Sequence, residues 1–285
     1  MTSGSTAGSA AGSAAGSHQR RHIFITGGAS GIGRAVAQYF GDRGWFVSIA
    51  DVNDQGMEDT LGLIEGGFKY SHKLDVRDRD AWDVALQSAA TAAGGRIDVM
   101  FNNAGIGTGG ALADLEKEEI DACLDINLRG VLYGAQAAYP YLKASAPGSA
   151  LVNTASAAGI TGGSGMSVYS ATKFAVRSIA ESLDAEWAAD GIKVSSICPS
   201  FIETPLLDGT GHRGENEQIR ARVVEAGLEI TPVVEVAKTV WDAVHGDDVH
   251  YLVGKTAKRI NFVKRWMPGL VRKQQRKAGG LMGRN

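Results

Sequence analysis

The chain of 285 residues contains the spacing Tyr-x-x-x-Lys three times, at Tyr139/Lys143, Tyr169/Lys173 and Tyr251/Lys255. A free tyrosine has a pKa near 10, so it is a poor base at neutral pH unless a neighbouring ammonium stabilises its phenolate. Only a pair on one helix face can meet that demand. Tyr251/Lys255 starts in the run HYLVG, which reads as a strand, where four residues span about 13 Å. Tyr139/Lys143 lies at the far end of a long predicted helix, with Pro140 between the two, and such a helix end falls on the wrong side of a sheet for a ligand. Tyr169/Lys173 opens a helix directly after a strand, where four residues rise about 6 Å and share a face. Ser156 ends that strand thirteen residues before Tyr169, and its hydroxyl can donate to an oxygen on which charge develops. The trio suits proton transfer at a carbon–oxygen group, with Tyr169 as the acid or base and Lys173 supplying the stabilising charge.

A second constellation follows the first apolar run, HIFIT. It reads Thr26-Gly27-Gly28-Ala29-Ser30-Gly31-Ile32-Gly33 and leads into the helical pattern Ala35, Val36, Tyr39, Phe40. Glycines allow a tight turn and a close approach to a pyrophosphate, and the free N–H groups of a helix start favour its negative charge. Asp51 ends the second strand about twenty residues further on, where a carboxylate can accept hydrogen bonds from both hydroxyls of an adenosine ribose. A 2′-phosphate there meets a like charge, and neither Ala50 nor Val52 is an arginine that would receive it. The expected cofactor is therefore NAD, with NADP the less favoured form.

These residues need a scaffold. HIFIT, WFVSIA, DVMFN, ALVNTA, KVSSIC and HYLVG read as strands, and helices are expected near 31–43, 78–93, 116–145, 167–190 and 232–245. Strand and helix alternate over more than 200 residues, which implies an α/β class: a doubly wound, mostly parallel sheet with helices on both faces, in one domain. Ligands of such a sheet bind beyond the carboxyl ends of the strands.

Residues 1–21 form a lead-in rich in Gly, Ser and Ala, expected to be disordered. The domain then covers 22–254, and 255–285 is a basic extension with ten Lys/Arg and no Asp/Glu, leaving a net −12 on the rest of the chain. Its Ile260, Val263 and Met267 are expected on one helical face, with Phe262 and Trp266 nearby. Contact with an acidic membrane is open to it, but docking on its own acidic domain or on a neighbouring subunit is the favoured reading. The acidic domain argues against nucleic acid. No run of eighteen apolar residues and no secretory pattern occurs, so a cytoplasmic address is expected. Cys123 and Cys198 are expected as free thiols, and the six histidines show no metal-ligand spacing, so no metal is expected.

The spacing Thr-Gly-x-x-x-Gly-x-Gly at 26–33 resembles the signature of short-chain dehydrogenases/reductases. Asp75-Val76, Asn102-Asn103-Ala104-Gly105, Asn127, Ser156, Tyr169, Lys173, and Pro199 with Thr204 continue the resemblance over about residues 22–254. It implies the Rossmann arrangement and hydride transfer between a nicotinamide cofactor and a secondary alcohol or ketone. Gly27, Ser30, Gly31, Ile32, Gly33, Asp51, Asp75, Val76, Asn103, Ala104, Gly105, Tyr169, Lys173, Pro199, Ile202 and Thr204 would then line the cofactor. In that resemblance Asp75 and Val76 border the adenine, Asn102 and Ala104 serve the ribose and the strand architecture, and Ile202 and Thr204 meet the nicotinamide amide and phosphates. Lys173 also holds the nicotinamide ribose, and Asn127 fixes a proton-relaying water. One departure is Ser200, where the family usually has Gly after the proline. Ile106, Gly107, Ala157, Ala158, Ile160, Gly163, Met166, Phe201, Leu206 and Leu207 form an uncharged expected pocket wall, which suits a bulky hydrophobic or aromatic substrate. Pro205 to Gly227 resembles the family's substrate lid, and the equivalents of the 116–145 and 167–190 helices pair subunits, so a homodimer or homotetramer is expected. The alternative is a non-catalytic dinucleotide sensor or adaptor recruited through its basic tail.

Overall fold

The computed structural model describes residues 20–208 and 219–282. Alternating short and long elements run β1 (His22–Thr26), α1 (Gly31–Gly41), β2 (Phe46–Asp51), α2 (Asp54–Gly62), β3 (Lys69–Lys73), α3 (Arg79–Ala92) and β4 (Val99–Asn102). They continue through α4 (Lys117–Leu124), a π-helical turn (Asp125–Arg129), α5 (Gly130–Ser145), β5 (Ala150–Thr154), α6 (Ser167–Trp187) and β6 (Lys193–Pro199). The last part comprises β7 (Phe201–Ile202), α7 (Ile219–Glu225), β8 (Ile230–Thr231), α8 (Val233–His245), β9 (His250–Val253), α9 (Gly254–Trp266) and α10 (Pro268–Met282).

Seven strands pair in the order β3-β2-β1-β4-β5-β6-β9, all neighbours parallel. The result is the doubly wound Rossmann fold in a single domain. Strand order reverses between β1 and β4, which opens a crevice at their carboxyl ends. Both faces are covered, as the period-2 geometry of a strand requires. Ile23, Ile25, Val99 and Phe101 join the core beneath α1 and α8. Phe24 and Met100 turn the other way, into the core with Trp82 and Leu142.

The strand and helix pattern underestimates the sheet. It omits β3, whose sequence KYSHK is polar because an edge strand leaves its side chains half-exposed. It also omits the short α2, which Asn53 starts by accepting the Gly56 amide on its side chain at 3.0 Å, and the two-residue pair β7–β8. The expected helix 116–145 is divided by the π-helical turn, while Pro140 sits inside α5 without ending it. The expected lead-in lies outside the described residues apart from its last two positions. Arg20 and Arg21 stack over Phe68 and Trp45.

The basic extension also differs from expectation. It is two helices, broken at Met267 before Pro268, so Met267 leaves the face that carries Ile260. Ala257 and Ile260 pack toward the domain, and Gln275 donates to Thr161 Oγ1 at 2.9 Å and to the Gly162 carbonyl. No helix among the described residues is long and apolar enough to cross a membrane.

Trp82 ties the α3 side of the sheet to the crevice. It is fully buried, and its indole N–H donates to the Val76 carbonyl at 3.0 Å. Trp82→Ala should cost about 3–5 kcal/mol of stability in urea unfolding, whereas Val84→Ala, on the exposed face of the same helix, should stay within about 0.5 kcal/mol.

Candidate active site

The turn after β1 is too crowded for side chains. Gly27 and Gly31 have φ of +66° and +51°, a region that L-residues with a Cβ rarely enter. A Cβ on Gly33 would stand 2.1 Å from the Gly27 carbonyl oxygen. Ser30 precedes α1 in an extended conformation and makes no side-chain capping bond, so the first N–H groups of α1 are presented at the helix's positive end. Thr204 closes over this point, its methyl 3.4 Å from the Cβ position of Gly31. The cradle fits a pyrophosphate: it has backbone donors, no side-chain bulk and no carboxylate at the helix start.

Asp51 ends β2 beside this turn. One carboxylate oxygen accepts from the Ala29 amide and the other from the Asn53 amide, each at 3.1 Å. Its role as a local cap is therefore real, and each oxygen keeps a further lone pair for a ribose hydroxyl. A cation that the sequence reading missed lies close by. Arg34 donates to the Ala29 carbonyl at 2.6 Å and to Thr60 Oγ1 at 3.0 Å. Arg34 is not a neighbour of Asp51 in sequence and reaches the turn from the first turn of α1.

The remaining cofactor-side residues divide by what they touch. Asn103 donates its amide to the Thr26 carbonyl at 3.0 Å, and the Asn103 and Ala104 backbone amides both donate to Thr26 Oγ1. Asn103 therefore fastens β4 to the glycine turn. Asn102 is buried and bonds Val131 and Asn153, which makes it architectural. The Asp75 carboxylate is gripped by Arg77, and that guanidinium holds its pKa below the ordinary value. Val76 is buried against Gly130. Ile202 is buried in the α1/α8 core, and its carbonyl accepts from Thr204 at 3.2 Å. Ser200 needs no glycine conformation, because no described non-glycine residue has positive φ; its hydroxyl donates to the Val253 carbonyl at 3.4 Å.

The Tyr169 group assembles at the carboxyl ends of β4, β5 and β6. Ser156, just past β5, accepts the Ala158 amide at 3.1 Å and donates to the Pro199 carbonyl at 3.4 Å. Tyr169 and Lys173 lie on the first turns of α6, with the ammonium 5.6 Å from the ring centroid. Lys173 is 4% exposed and donates to the Thr154 carbonyl at 2.9 Å. Asn127 occupies the π-helical turn, a distortion that often marks functional positions. It clamps Ile106, accepting from its amide and donating to its carbonyl, both at 2.8 Å. A Cβ on Gly105 would fall 3.1 Å from Asn127 Oδ1 and 3.6 Å from Lys173 Nζ, so these three positions converge.

The electrostatics correct one expectation. Burial pushes the Lys173 ammonium down to about 8. Burial also pushes the Tyr169 phenol above its ordinary value, against the opposing hydrogen bond with Ser156. Stabilisation of the phenolate by Lys173 is not what dominates here, since withdrawal from water disfavours the charged form of both groups. The other two Tyr/Lys pairs stay apart from this chemistry. Tyr139 donates to Asp190, and the Tyr251 hydroxyl accepts from the Asp248 amide.

The pocket wall is also revised. Ile160 is packed among Val131, Ala155, Val176 and Cys198 and is core, not lining. Leu207 is buried, whereas Leu206 is exposed and lies 3.3 Å from the Cβ position of Gly107. The middle of the expected lid, 209–218, falls outside the described residues. Cys123 and Cys198 are buried free thiols.

A family model described as short chain dehydrogenase matches residues 21–214, and the chain belongs to the short-chain dehydrogenase/reductase family of oxidoreductases. It is 33% identical over 248 residues to an uncharacterised oxidoreductase, YxbG, of Bacillus subtilis, covering 83% of this chain and 88% of that one. A Burkholderia phymatum short-chain dehydrogenase/reductase solved with NAD shares the fold, with a TM-score of 0.78 at 24% identity over 88% of this chain and 95% of that one. An actinorhodin polyketide ketoreductase variant solved with NADPH superposes with a TM-score of 0.74 at 27% identity over 82% of this chain and 95% of that one.

The buried lysine predicts a pH dependence. Its folded pKa is depressed, so between about pH 8 and pH 10 the unfolded chain keeps a proton that the folded chain releases. Stability from this group therefore rises with pH across that window, by at most about 1.4 kcal/mol per pH unit. Lys173→Met should remove that component of the slope in urea unfolding, and an unchanged slope would contradict the burial of this charge.

Proposed function

We propose that the protein is a NAD(H)-preferring alcohol dehydrogenase/ketone reductase acting on bulky apolar or aromatic secondary alcohols and ketones. The observation that carries this reading is the meeting of Ser156, Tyr169 and Lys173 at the end of β5, with Asn127 beside them and the glycine cradle at the same end of the sheet. When bound, the nicotinamide cofactor supplies or accepts the hydride at the carbinol carbon.

The chain's own groups do the rest. In reduction, Tyr169 gives its phenolic proton to the substrate oxygen, and the Ser156 hydroxyl turns from Pro199 to hydrogen-bond that oxygen as it gains charge. Lys173 holds a positive charge near the tyrosine and is placed to meet the nicotinamide ribose. Asn127, whose amide already shapes the Ile106 backbone, stands where a water could carry the replacement proton. In this reading Gly27, Ser30, Gly31, Ile32 and Gly33 receive the pyrophosphate and Asp51 the adenosine ribose. Asp75 and Val76 border the adenine, Ala104 and Gly105 the ribose side, and Pro199 and Thr204 the nicotinamide side. The apolar wall of Ala157, Met166 and Leu206 carries no charge for an anionic substrate. A silent scaffold has no feature in its favour, since every group required for proton transfer is present. We place a homodimer or homotetramer on the α4, α5 and α6 surface, where Leu124, Leu132 and Phe174 are exposed.

The test follows the loss of reduced-cofactor absorbance against a panel of aromatic and bulky ketones. NADH should outperform NADPH in kcat/KM by about tenfold or more, the equivalent of ~1.4 kcal/mol, and Asp51→Ala should narrow that ratio chiefly by improving NADPH. Equal use of both cofactors by the wild type would refute the NAD preference. Turnover of no ketone or alcohol with either cofactor would refute the activity.

A further inference from the structure

We propose that the elbow between α9 and α10 is a docking surface for an anionic phospholipid bilayer. The inner side of the extension is already occupied. Ala257 is fully buried, Ile260 packs on the core below α6, and Gln275 anchors α10 to the 161–162 loop. The outer side is not. Phe262 is 58% exposed, Trp266 66%, and Met267 and Leu270 44% each. Four large apolar side chains thus stand in water within nine residues, where single exposed ones need no explanation but a cluster does.

The charges around them select the partner. Phe262 and Trp266 are four apart and share a face of α9. Lys258 and Arg259 flank that face from the turn before Phe262, and Arg265 lies beside it, its guanidinium 5.7 Å from the Trp266 ring. Arg272 and Lys273, both exposed, follow in α10. Residues 255–285 contain no Asp or Glu, and among the described residues the ion pair made by this stretch is Lys255 with Glu229, at 3.8 Å. The rest of the chain carries a net −12, yet it pairs with none of the other described cations of this stretch. The extension therefore docks on its own domain through apolar and amide contacts and leaves its charge outward.

Aromatic residues, Met and Arg also suit a protein interface, so it is the run of cations without a single acid that selects an anionic surface. A bilayer accepts both components. Indole and phenyl rings settle at the headgroup boundary, aliphatic stems follow them, and the cations remain at the phosphates. Each Lys or Arg near an anionic surface adds attraction, and the effect weakens with salt. The contact is peripheral, with α9 and α10 lying on the surface.

The test is co-sedimentation of the full chain with vesicles of phosphatidylcholine alone or of phosphatidylcholine mixed with phosphatidylglycerol. The protein should pellet with the mixed vesicles, remain in solution with the neutral ones, and be released by high salt. F262S/W266S keeps every cation and leaves Ala257, Ile260 and the Gln275 hydrogen bonds in place. It should unfold at the wild-type midpoint and partition about tenfold or more weakly, as expected for two aromatic side chains withdrawn from the boundary. Failure of the wild type to pellet with mixed vesicles would overturn the proposal, as would equal partition of the double variant. A lower solution mass for F262S/W266S by light scattering, without vesicle binding by the wild type, would assign the face to a second copy and overturn it as well. Vesicle binding is read without catalysis, so it stands or falls apart from the proposed reductase activity.

Discussion

An amine withdrawn from water at the end of β5 constrains everything around it. Lys173 is held by the Thr154 carbonyl, and a buried ammonium with so few partners costs free energy that the surrounding fold must offset. That position requires β5 to end at Thr154 and α6 to start close enough to return Lys173 over it, and a Cβ at residue 105 would stand 3.1 Å from Asn127 Oδ1 and 3.6 Å from Lys173 Nζ. Asn127 completes the enclosure from the π-helical turn, where one extra residue per turn rotates its amide onto Ile106. Without that distortion the regular helix would carry the amide elsewhere. The same burial lowers the lysine pKa to about 8 and raises that of Tyr169, leaving a protonated phenol beside an amine that holds its proton less tightly than in water.

The cofactor side obeys a related constraint of space. The Gly27 carbonyl occupies the position that a side chain at residue 33 would need, so residue 33 is held to glycine and the turn brings backbone donors to the surface. Asn103 and Thr26 lock this turn to β4. The glycine turn and the Tyr169 group therefore share one frame, in which a shift of β1 against β4 would move both.

Much of this was legible in the sequence because the residues carry strong local signals. Four glycines after an apolar strand, an acid ending the next, and Tyr-x-x-x-Lys opening a helix identify positions by geometry that few other residues satisfy. What escaped depended on tertiary context. β3 reads as polar because it is an edge, and Arg34 reaches the Ala29 carbonyl through a turn whose path no spacing encodes. Ile160 looks like pocket lining by its place near Ser156 but is turned into the core by its packing. The π-helical turn leaves no mark on composition or period. In the extension, apolar periodicity was visible, but Pro268 divides the helix and turns Met267 outward with Phe262 and Trp266.

The most direct test of the central claim compares wild type with Tyr169→Phe on an aromatic ketone that the wild type reduces, measuring NADH binding and single-turnover oxidation in both. The phenylalanine variant should bind NADH as the wild type does and reduce the ketone about 10²–10⁴-fold more slowly, the usual contribution of a positioned proton donor. A variant that binds NADH and retains the wild-type rate would contradict the assignment of Tyr169 and the proton-transfer site built around it.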